Sequence, residues 1–461
     1  MLQPRRRDPD RLLPADPRTR EIARDLYSSV AEARIVSPHG HVPVEWLSDD
    51  RPFANPTSLL LSGDHYLTRL LHASGVNLAD VAPDADPRSA WRVFAEHWHV
   101  FEGTASAHWL REALVGVLGL GEDLTAENAD ATYDHIAALL STPDFRPRAL
   151  FATFDIAVLA TTDDPLDDLS HHAALRGRLT GEVRPTFRPD RYLDPDADDF
   201  AERVDALLAS TASPSTFAGY LDALRARRAH FIDHGAVSAD HGVEEPLTLE
   251  LDPHDASRLF DAVRTGAASA EDRRAFRAHM LLQMASMSVD DGLVMTVHAG
   301  VLRNHHTPTL RSFGPDTGHD IPVTTDFVRG LRPLLEKHGV ARDFHLVLFA
   351  VDETVYSREL APLAGFYPSV FIGAPWWFLD APDAMNRFRA AVTETAGFTR
   401  GSGFIDDTRA FLSIPARHDT ARRADASYLA RLVAEGRLTQ ATAARIIGES
   451  VDALPRRVFK L

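Results

Sequence analysis

Two histidines, His39 and His41, stand on either side of a single glycine where the first apolar run of the chain ends. In an extended backbone, residues i and i+2 point to the same face, so both imidazoles would leave one face of a strand end. Neutral imidazole is a ligand for zinc and its first-row neighbours. Because the chain contains 22 histidines, one His-x-His could arise by chance. The pair therefore indicates a metal site only if further ligands come from elsewhere in the sequence.

The composition limits which groups could complete such a site. The chain has no cysteine, which excludes disulfides, thiolate nucleophiles, iron–sulfur clusters and cysteine-type zinc sites. Any metal must therefore rest on His, Asp or Glu. The net charge of −17 argues against nucleic acid and anionic membranes as partners. An anionic substrate would need a locally basic pocket, because the overall field repels it.

Length and apolar patterning indicate the class of protein. A chain of 461 residues, 44% of them hydrophobic, can bury a large core. No apolar run approaches the ~20 residues of a membrane span. The start, MLQPRRRDPDRLLP, lacks the apolar stretch that is typical of a secretory signal. We expect a cytoplasmic enzyme.

Eight short apolar runs with strand character could position the chemistry. Helix-patterned stretches separate most of them, which favours parallel βα units, because parallel strands need long crossovers. Eight units is the number in a closed (β/α)8 barrel, and a doubly wound open sheet is the alternative. The runs are 35–36, 156–160, 183–187, 236–237, 293–298, 344–351, 370–372 and 404–405.

Four segments are predicted along the chain. The dipeptide Asp16-Pro17 predicts the start of a first helix, with an N-cap followed by proline at the first helical position. The gap between the first two strands is too long for one crossover, so we interpret it as a helical insertion that caps the barrel mouth. The segments are 1–41 (N-terminal helix and strand 1), 42–154 (insertion), 155–418 (remainder of the barrel) and 419–461 (helical tail).

In a barrel, functional groups cluster where the strands end at the C-terminal face. Reading only those positions gives a concentration of His, Asp and Arg that solvated loops alone would not explain. Three of these strand ends also carry neighbouring pairs of tryptophan or aspartate. The residues are His39, His41, Asp163, Asp164, Arg188, Asp190, Asp240, His241, His298, Arg303, Trp376, Trp377, Asp406, Asp407 and Arg409.

Seven segments, in the same order, resemble the uronate (glucuronate) isomerase family, a branch of the metal-dependent amidohydrolase superfamily. The resemblance implies an α/β fold: a distorted (β/α)8 TIM barrel of the metal-dependent hydrolase type, with a helical insertion after strand 1. It also implies one divalent metal ion, commonly Zn²⁺. The segments run from about residue 20 to about residue 420 and read IVSPHGHVP, SGDHYLTRLLHASGV, TTDDPLDDLSHHA, FRPDRY, HAGVLRN with FGPDTG, PWWF and DDTRAFLS.

The resemblance also implies roles for ten residues. By position, His39, His41 and Asp407 match metal ligands, and His298 matches a metal-site histidine that binds directly or through water. Asp407, Arg409, His298 and Tyr66 match catalytic residues. The remaining matches, to the pocket that holds a sugar acid, are His65, Arg188, Arg303 and Trp376.

The implied reaction interconverts D-glucuronate with D-fructuronate, or D-galacturonate with D-tagaturonate. It moves a proton from C2 to C1 through an enediol, so it needs a base and a group that stabilises oxyanion charge. Arginine suits the substrate carboxylate, because its guanidinium binds carboxylates in a bidentate manner. The family's usual residues around the histidine pair are replaced by Ser37 and Gly40, which leaves the sugar preference open.

Two other functions remain open from the sequence. A hydrolase on the same scaffold would use the metal to activate water for cleavage of an amide or a sugar-acid lactone. A catalytically inactive sugar-acid-binding protein would keep the fold alone. In each case the expected partner is a small-molecule sugar acid, with no nucleic acid and no membrane, and a homo-oligomer is compatible with the sequence.

Overall fold

The structure, a computed structural model, describes residues 8–461. The interpretation that the chain starts without a secretory signal rests partly on residues 1–7, which lie outside the described residues. Within residues 8–461, no helix combines the length and the apolar character that crossing a membrane requires.

The predicted first helix is confirmed as α1 (Pro17–Ser28). Its N-cap is Asp16, whose carboxylate accepts a hydrogen bond from the backbone N–H of Thr19 at 2.8 Å. Proline at the first position suits the helix start because that N–H would have no partner within the helix. Leu26 of this helix is buried in a core that it shares with helices near the end of the chain.

The described residues contain nine β-strands. Seven form two parallel sheets, in the orders β1-β2-β3 and β4-β5-β8-β9, while β6 and β7 form a separate antiparallel pair. The strands are β1 (Ile35–Ser37), β2 (Ile156–Ala160), β3 (Glu182–Arg184), β4 (Ser238–Val243), β5 (Val294–Ala299), β6 (Val301–Leu302), β7 (Ile321–Pro322), β8 (Leu346–Ala350) and β9 (Val370–Ile372).

Single backbone contacts join the two sheets on one side. Phe187 pairs in parallel both with Asp163, just beyond β2, and with Ala239 of β4. Short strands joined by isolated bridges make a ring with an irregular wall, which fits the expected distorted barrel rather than an open sheet.

The ring closes on the other side through a segment that is not a regular strand. Gly401 pairs with the end of β9, and the backbone N–H of His41 donates to the carbonyl of Thr408 at 3.1 Å. The predicted eighth strand at 404–405 is therefore wrong as a strand, although the segment occupies the corresponding place. The backbone of Gly403 has φ +78°, in the left-handed region, which interrupts an extended run.

The fourth strand also lies later than predicted. The sequence places it at 236–237, whereas β4 covers Ser238–Val243. Its residues are small or polar (SADHGV), so an apolar pattern does not reveal it. Asp240 therefore lies within a strand, level with Thr296 of β5.

Side chains that alternate along the strands face either the surrounding helices or the barrel interior. Near the barrel floor, Val294, Val347 and Phe371 belong to an interior cluster that also contains Val458 and Phe459 from the end of the chain. Val458 and Phe459 are both fully buried. The end of the chain thus fills the interior of the barrel from below.

We call Val458 and Phe459 the plug, and its contribution to stability can be tested. Phe459→Ala is expected to lower the free energy of unfolding by about 3–5 kcal/mol, because it leaves a cavity in a closed apolar cluster. Urea denaturation measures the change. Phe366, which is 74% exposed, gives a matched control: Phe366→Ala should shift the free energy of unfolding by about 0.5 kcal/mol or less. Equal effects of the two changes would contradict the assignment of the plug.

Between β1 and β2 the described chain is helical. Its helices share an apolar core with the outer face of β1 and β2. The domain boundaries drawn from the sequence stay a prediction. The helices are α2 (Val44–Asp49), α3 (Pro56–Leu60), α4 (His65–Ala73), α5 (Pro87–Glu96), α6 (Ala105–Arg111), α7 (Ala129–Leu140) and α8 (Pro147–Thr153).

The remaining helices surround the barrel and form the C-terminal region. They are α9 (Ser170–Leu175), α10 (Asp190–Leu193), α11 (Phe200–Ser210), α12 (Phe217–Asp233), α13 (Pro253–Arg264), α14 (Ala270–Asp291), α15 (Thr307–Phe313), α16 (Phe327–Gly330), α17 (Arg332–His338), α18 (Ala361–Phe366), α19 (Pro382–Ala396), α20 (Ile414–Ala434), α21 (Gln440–Gly448) and α22 (Leu454–Phe459). Helix α20 crosses the boundary between the third and fourth predicted segments and packs against α1.

Candidate active site

A cleft with a volume of about 1110 Å³ opens where the strands of the barrel end. Its lining brings together residues that are up to 378 positions apart in the sequence. All ten residues that the sequence singled out for a site line this cleft: His39, His41, His65, Tyr66, Arg188, His298, Arg303, Trp376, Asp407 and Arg409.

Three of these side chains converge at the floor of the cleft. One ligand atom each from His39, His298 and Asp407 lies within 4.8 Å of the other two. Both imidazoles are almost completely buried. The set comes from three elements: the end of β1, strand β5 and the segment that closes the barrel. Two imidazoles and a carboxylate are a donor set that suits zinc and similar divalent ions.

His41 stands beside this set rather than within it. Its Nε2 atom lies 2.9 Å from Oδ1 of Asp407, and Nε2 of His39 lies 3.2 Å from the same oxygen. Within the described chain, Asp407 Oδ1 nevertheless has no partner with hydrogen-bond geometry. Buried polar atoms that converge without hydrogen bonds fit a shared cation, because such atoms otherwise keep their full desolvation cost.

The electrostatics of His41 and Asp407 favour the protonation states that a metal needs. For His39, burial would lower the pKa, but Asp240 and Asp407 raise it above its usual value. Burial lowers the pKa of His41 to about 4, against the opposing effect of Asp407. Burial alone would raise the pKa of Asp407, but the imidazoles of His41 and His39 bring it well below its usual value. At neutral pH the imidazole of His41 is therefore neutral and Asp407 is ionised, as metal ligation requires.

His298 is held in one orientation by its neighbours. Its Nδ1 atom donates to Oδ1 of Asp240 at 2.7 Å, and the hydroxyl of Thr296 donates to the same oxygen at 2.6 Å. The ring stacks on Phe349 at 4.1 Å and meets the edge of Trp376 at 4.7 Å. Across residues 8–461, Nε2 of His298 finds no hydrogen-bond partner. A carboxylate behind one ring nitrogen leaves the other free as a lone-pair donor.

Asp240 is the residue of this centre whose function the sequence reasoning missed. Its carboxylate is fully buried, and Oδ2 lies 3.4 Å from Nη1 of Arg188 and 4.0 Å from Nε2 of His39. Burial would raise its pKa, but His298, His39 and Arg188 bring the pKa well below its usual value. The sequence shows Asp240 near a strand end, but its contact with His298 appears only once β4 is known to continue past residue 237.

Arginines line the cleft and each is oriented by a carboxylate. Nε of Arg188 donates to Asp190 at 2.8 Å. Nη1 of Arg303 donates to Asp320 at 2.9 Å, and Nη2 of Arg409 donates to a further carboxylate, Asp316, at 2.8 Å. The side chains of Arg303 and Arg409 are each 44% exposed, so they stand at the rim of the cleft. These cations give the locally basic pocket that an acidic chain would need for an anionic ligand.

Helix α4 carries two further predicted residues into the cleft. Asp64 caps this helix by accepting a hydrogen bond from the backbone N–H of Tyr66 at 2.9 Å. The rings of His65 and Tyr66 stack at 4.6 Å. Nε1 of Trp377 donates to Nε2 of His65 at 2.9 Å, which fixes the imidazole over the cleft. Burial raises the pKa of Tyr66 well above its usual value, so its phenol remains protonated.

Arg417 also lines the cleft, and nothing in the sequence pointed to it. It lies within α20, far from any strand end. Its guanidinium carbon lies 3.5 Å from the ring centre of Trp109, and Nη1 donates to Asp380. Burial raises the pKa of Asp380 to about 7, although Arg417 acts in the opposite direction. This buried pair supports the wall of the cleft below Tyr66, whose ring centre is 5.9 Å from the guanidinium carbon.

Known proteins resemble this chain over almost its full length. A uronate isomerase from Corynebacterium efficiens is 52% identical over 461 residues, which cover 98% of each chain. A crystal structure of glucuronate isomerase from Caulobacter crescentus superimposes with a TM-score of 0.96 at 46% identity, covering 99% of this chain and 97% of that one.

A more distant structure bears on the fold alone. A protein from Lactobacillus casei, provisionally described as a metal-dependent hydrolase, gives a TM-score of 0.56 at 15% identity and covers 94% of this chain and 97% of its own. This likeness agrees with the barrel type expected from the sequence.

The glucuronate isomerase family profile matches residues 18–454. The chain belongs to the glucuronate isomerase family.

Proposed function

We propose that this protein is a cytoplasmic uronate isomerase that interconverts aldose and ketose forms of hexuronates. The pairs are D-glucuronate with D-fructuronate and D-galacturonate with D-tagaturonate. The observation that carries the proposal is the convergence of His39, His298 and Asp407 within 4.8 Å, in an arginine-lined cleft of a chain that belongs to the glucuronate isomerase family.

We further propose that the centre holds one divalent ion, most simply Zn²⁺. His39, His298 and Asp407 would hold it, with His41 beside Asp407 as a fourth donor. The donor chemistry fits zinc, and so do the buried atoms of these side chains that lack hydrogen-bond partners in the described chain. When bound, such an ion polarises the oxygens of a substrate as a Lewis acid.

Side chains of the protein would carry out the proton transfers. In the isomerisation, C2 loses a proton and C1 gains one. O2 also loses its hydroxyl proton as it becomes the ketone oxygen, and O1 gains a proton as it becomes a hydroxyl. Asp407 is ionised and lies at the floor of the cleft, so we assign it the transfer of substrate protons. Tyr66 stays protonated, so its phenol can donate a hydrogen bond to oxygen as negative charge develops there.

The substrate carboxylate would bind at the other end of the cleft. Arg303 and Arg409 project from its rim with half-exposed guanidinium groups, and His65 lies near them. Arg188 lies deeper, against Asp190 and the metal centre. Trp376 would form an apolar wall beside His298. Arginine pairs at one end and metal ligands at the other would orient a sugar acid along the cleft.

The experiment that tests this function is isomerisation in deuterated water. The zinc-loaded protein is incubated with D-glucuronate or D-galacturonate, and NMR follows the aldose and ketose signals. We expect ketose to accumulate, with solvent deuterium at C1 where the transferred proton exchanges. Cleavage of an amide or lactone without ketose would instead establish the hydrolase, and binding without any reaction would establish an inactive sugar-acid-binding protein.

Asp240→Asn tests the support behind His298. The change keeps the shape of the side chain but removes the charge that fixes the imidazole, so we expect metal affinity or turnover to fall by about 10–100-fold. Metal titration and NMR rates measure the two effects. Asp291, whose carboxylate pairs with buried Arg228 outside the cleft, gives the control: Asp291→Asn should leave metal affinity unchanged. Wild-type metal affinity and turnover in Asp240→Asn would contradict the role.

A further inference from the structure

One loop at the rim of the cleft supplies the carboxylates that pair with both exposed arginines. It covers residues 314–320, between α15 and β7, and carries Asp316 and Asp320. Asp320 pairs with Arg303, and Asp316 pairs with Arg409. All four side chains line the cleft. The two pairs differ in how firmly each carboxylate is held.

Asp320 is a fixed partner. Its side chain is only 7% exposed, and it accepts two hydrogen bonds. Oδ2 accepts from Nη1 of Arg303 at 2.9 Å, and Oδ1 accepts from the backbone N–H of Asn304 at 2.7 Å. Moving this carboxylate would leave a buried charge and a backbone donor without partners, which is costly. Asp320 therefore holds the guanidinium of Arg303 in one position.

Asp316 is held much less firmly. Its side chain is 39% exposed, and its contact with Arg409 is a single hydrogen bond at 2.8 Å. Exposed ion pairs of this kind contribute little to stability. Burial would raise the pKa of Asp316, but Arg409, then His65 and Arg303, lower it below its usual value. The carboxylate therefore lies in the combined field of three residues that the proposed function assigns to the substrate carboxylate.

The loop is nevertheless anchored close to those residues. The backbone of Gly318 has φ +92°, and a Cβ there would lie 2.5 Å from Cβ of Arg69 and 2.9 Å from the carbonyl oxygen of His65. Only glycine allows so close an approach to the start of α4. This contact keeps the loop against α4, so Asp316 stays at the cleft while its side chain remains free to turn.

We propose that Asp316 is a specificity-determining residue: its carboxylate occupies the cationic subsite at Arg409 until the carboxylate of a sugar acid displaces it. The inference rests on the proposed function and deepens it. Exchange of one carboxylate for another preserves the charge-assisted hydrogen bond of the guanidinium. A neutral sugar offers only a hydroxyl in return, so it competes poorly with Asp316. A neutral sugar therefore leaves the Asp316–Arg409 pair in place, and only an acid opens this subsite.

Asp316→Asn tests this exchange, with D-glucarate as a carboxylate probe that cannot isomerise and D-glucitol as the neutral probe. Asparagine tolerates the left-handed backbone of residue 316, at φ +60°, so the loop should keep its shape. Calorimetry on the zinc-loaded protein should show glucarate binding about fivefold tighter than to the wild type, since an exposed ion pair no longer competes. The affinity for glucitol should stay unchanged, because the neutral ligand does not displace Asp316 in the wild type, so the preference for glucarate over glucitol should widen.

Asp320→Asn is the matched control from the same loop. It removes the fixed partner of Arg303, so glucarate should bind about tenfold more weakly, the loss expected when a buried charge pair is broken at modest cost. Acetate should compete with glucarate more strongly in Asp316→Asn than in the wild type, an effect that a purely structural role of residue 316 would not produce.

The outcomes separate this inference from the proposed function. Unchanged or weaker binding of glucarate to Asp316→Asn, or an unaltered preference over glucitol, would overturn the exchange. Because calorimetry needs no turnover, tighter binding of glucarate to Asp316→Asn would support the exchange even if the wild type formed no ketose. In that case the isomerase assignment alone would fail.

Discussion

Replacing His39 by alanine is expected to release the metal and to lower turnover by at least about a thousandfold, because Lewis-acid stabilisation contributes several kcal/mol to the transition state. The imidazole of His39 is 1% exposed and lies 3.2 Å from Asp407 Oδ1. Its removal leaves His41, His298 and Asp407, three of the four proposed donors, which should hold the ion too weakly to survive dialysis. Elemental analysis after dialysis gives the metal content, and NMR gives the isomerisation rate.

A surface histidine provides the control for this change. His305 is exposed and lies two residues after Arg303, so His305→Ala should retain one metal per chain and wild-type turnover. Retention of a full equivalent of metal by His39→Ala would show that His39 is not a ligand. Loss of activity with metal still bound would assign the imidazole to the substrate instead.

Asp407→Asn is expected to lower turnover by about 10²–10⁴-fold, the usual range for loss of a positioned acid–base group. The amide oxygen can still approach a cation, but the amide neither carries the negative charge nor accepts a proton. Turnover should therefore stay low when excess zinc restores occupancy. Measurement of rate against zinc concentration separates loss of the ligand from loss of the proton-transfer group.

The neighbouring carboxylate distinguishes chemistry from structural damage. Asp406 is also buried, and it contacts Nε2 of His418 at 3.0 Å. Asp406→Asn keeps an oxygen acceptor there, so it should cost stability while leaving metal content near one per chain. If Asp406→Asn and Asp407→Asn lost turnover equally, the special role of Asp407 would be contradicted.

Much of the site was predictable because parallel strands deliver their C-terminal ends to one face. That rule placed His39, His298 and Asp407 together although 259 and 109 residues separate them in the chain. The residue types then restricted the chemistry, since a chain without cysteine must bind a metal through nitrogen and oxygen. The family resemblance supplied the individual roles of Tyr66 and Arg409, which spacing alone could not assign.

Other parts of the structure depend on contacts that no local pattern records. Asp240 lies on a strand of small and polar residues, so periodicity does not mark it. Arg417 reaches the cleft from inside a helix, and its neighbours come from distant segments. The eighth barrel position lost its regular hydrogen bonding because Gly403 takes a left-handed conformation. Each depends on tertiary packing overriding local sequence preference.

The paired arginines also refine a prediction made from charge. The sequence required a basic pocket within an acidic protein, and the cleft contains such cations. The carboxylates of Asp190, Asp316 and Asp320 neutralise three of these arginines. The pocket therefore offers oriented hydrogen-bond donors rather than a large excess of positive charge. Orientation of planar guanidinium groups, rather than net charge, would then decide which anion binds.

The plug formed by Val458 and Phe459 has a consequence for biosynthesis. Every strand of the barrel precedes these residues in the chain, so each leaves the ribosome before the floor of the barrel can be filled. A nascent chain would expose the apolar interior during that interval, when such surfaces are prone to aggregate. The barrel is therefore completed only after all of its strands have been synthesised. Chaperones that act during translation should bind mainly to nascent chains that end before α22.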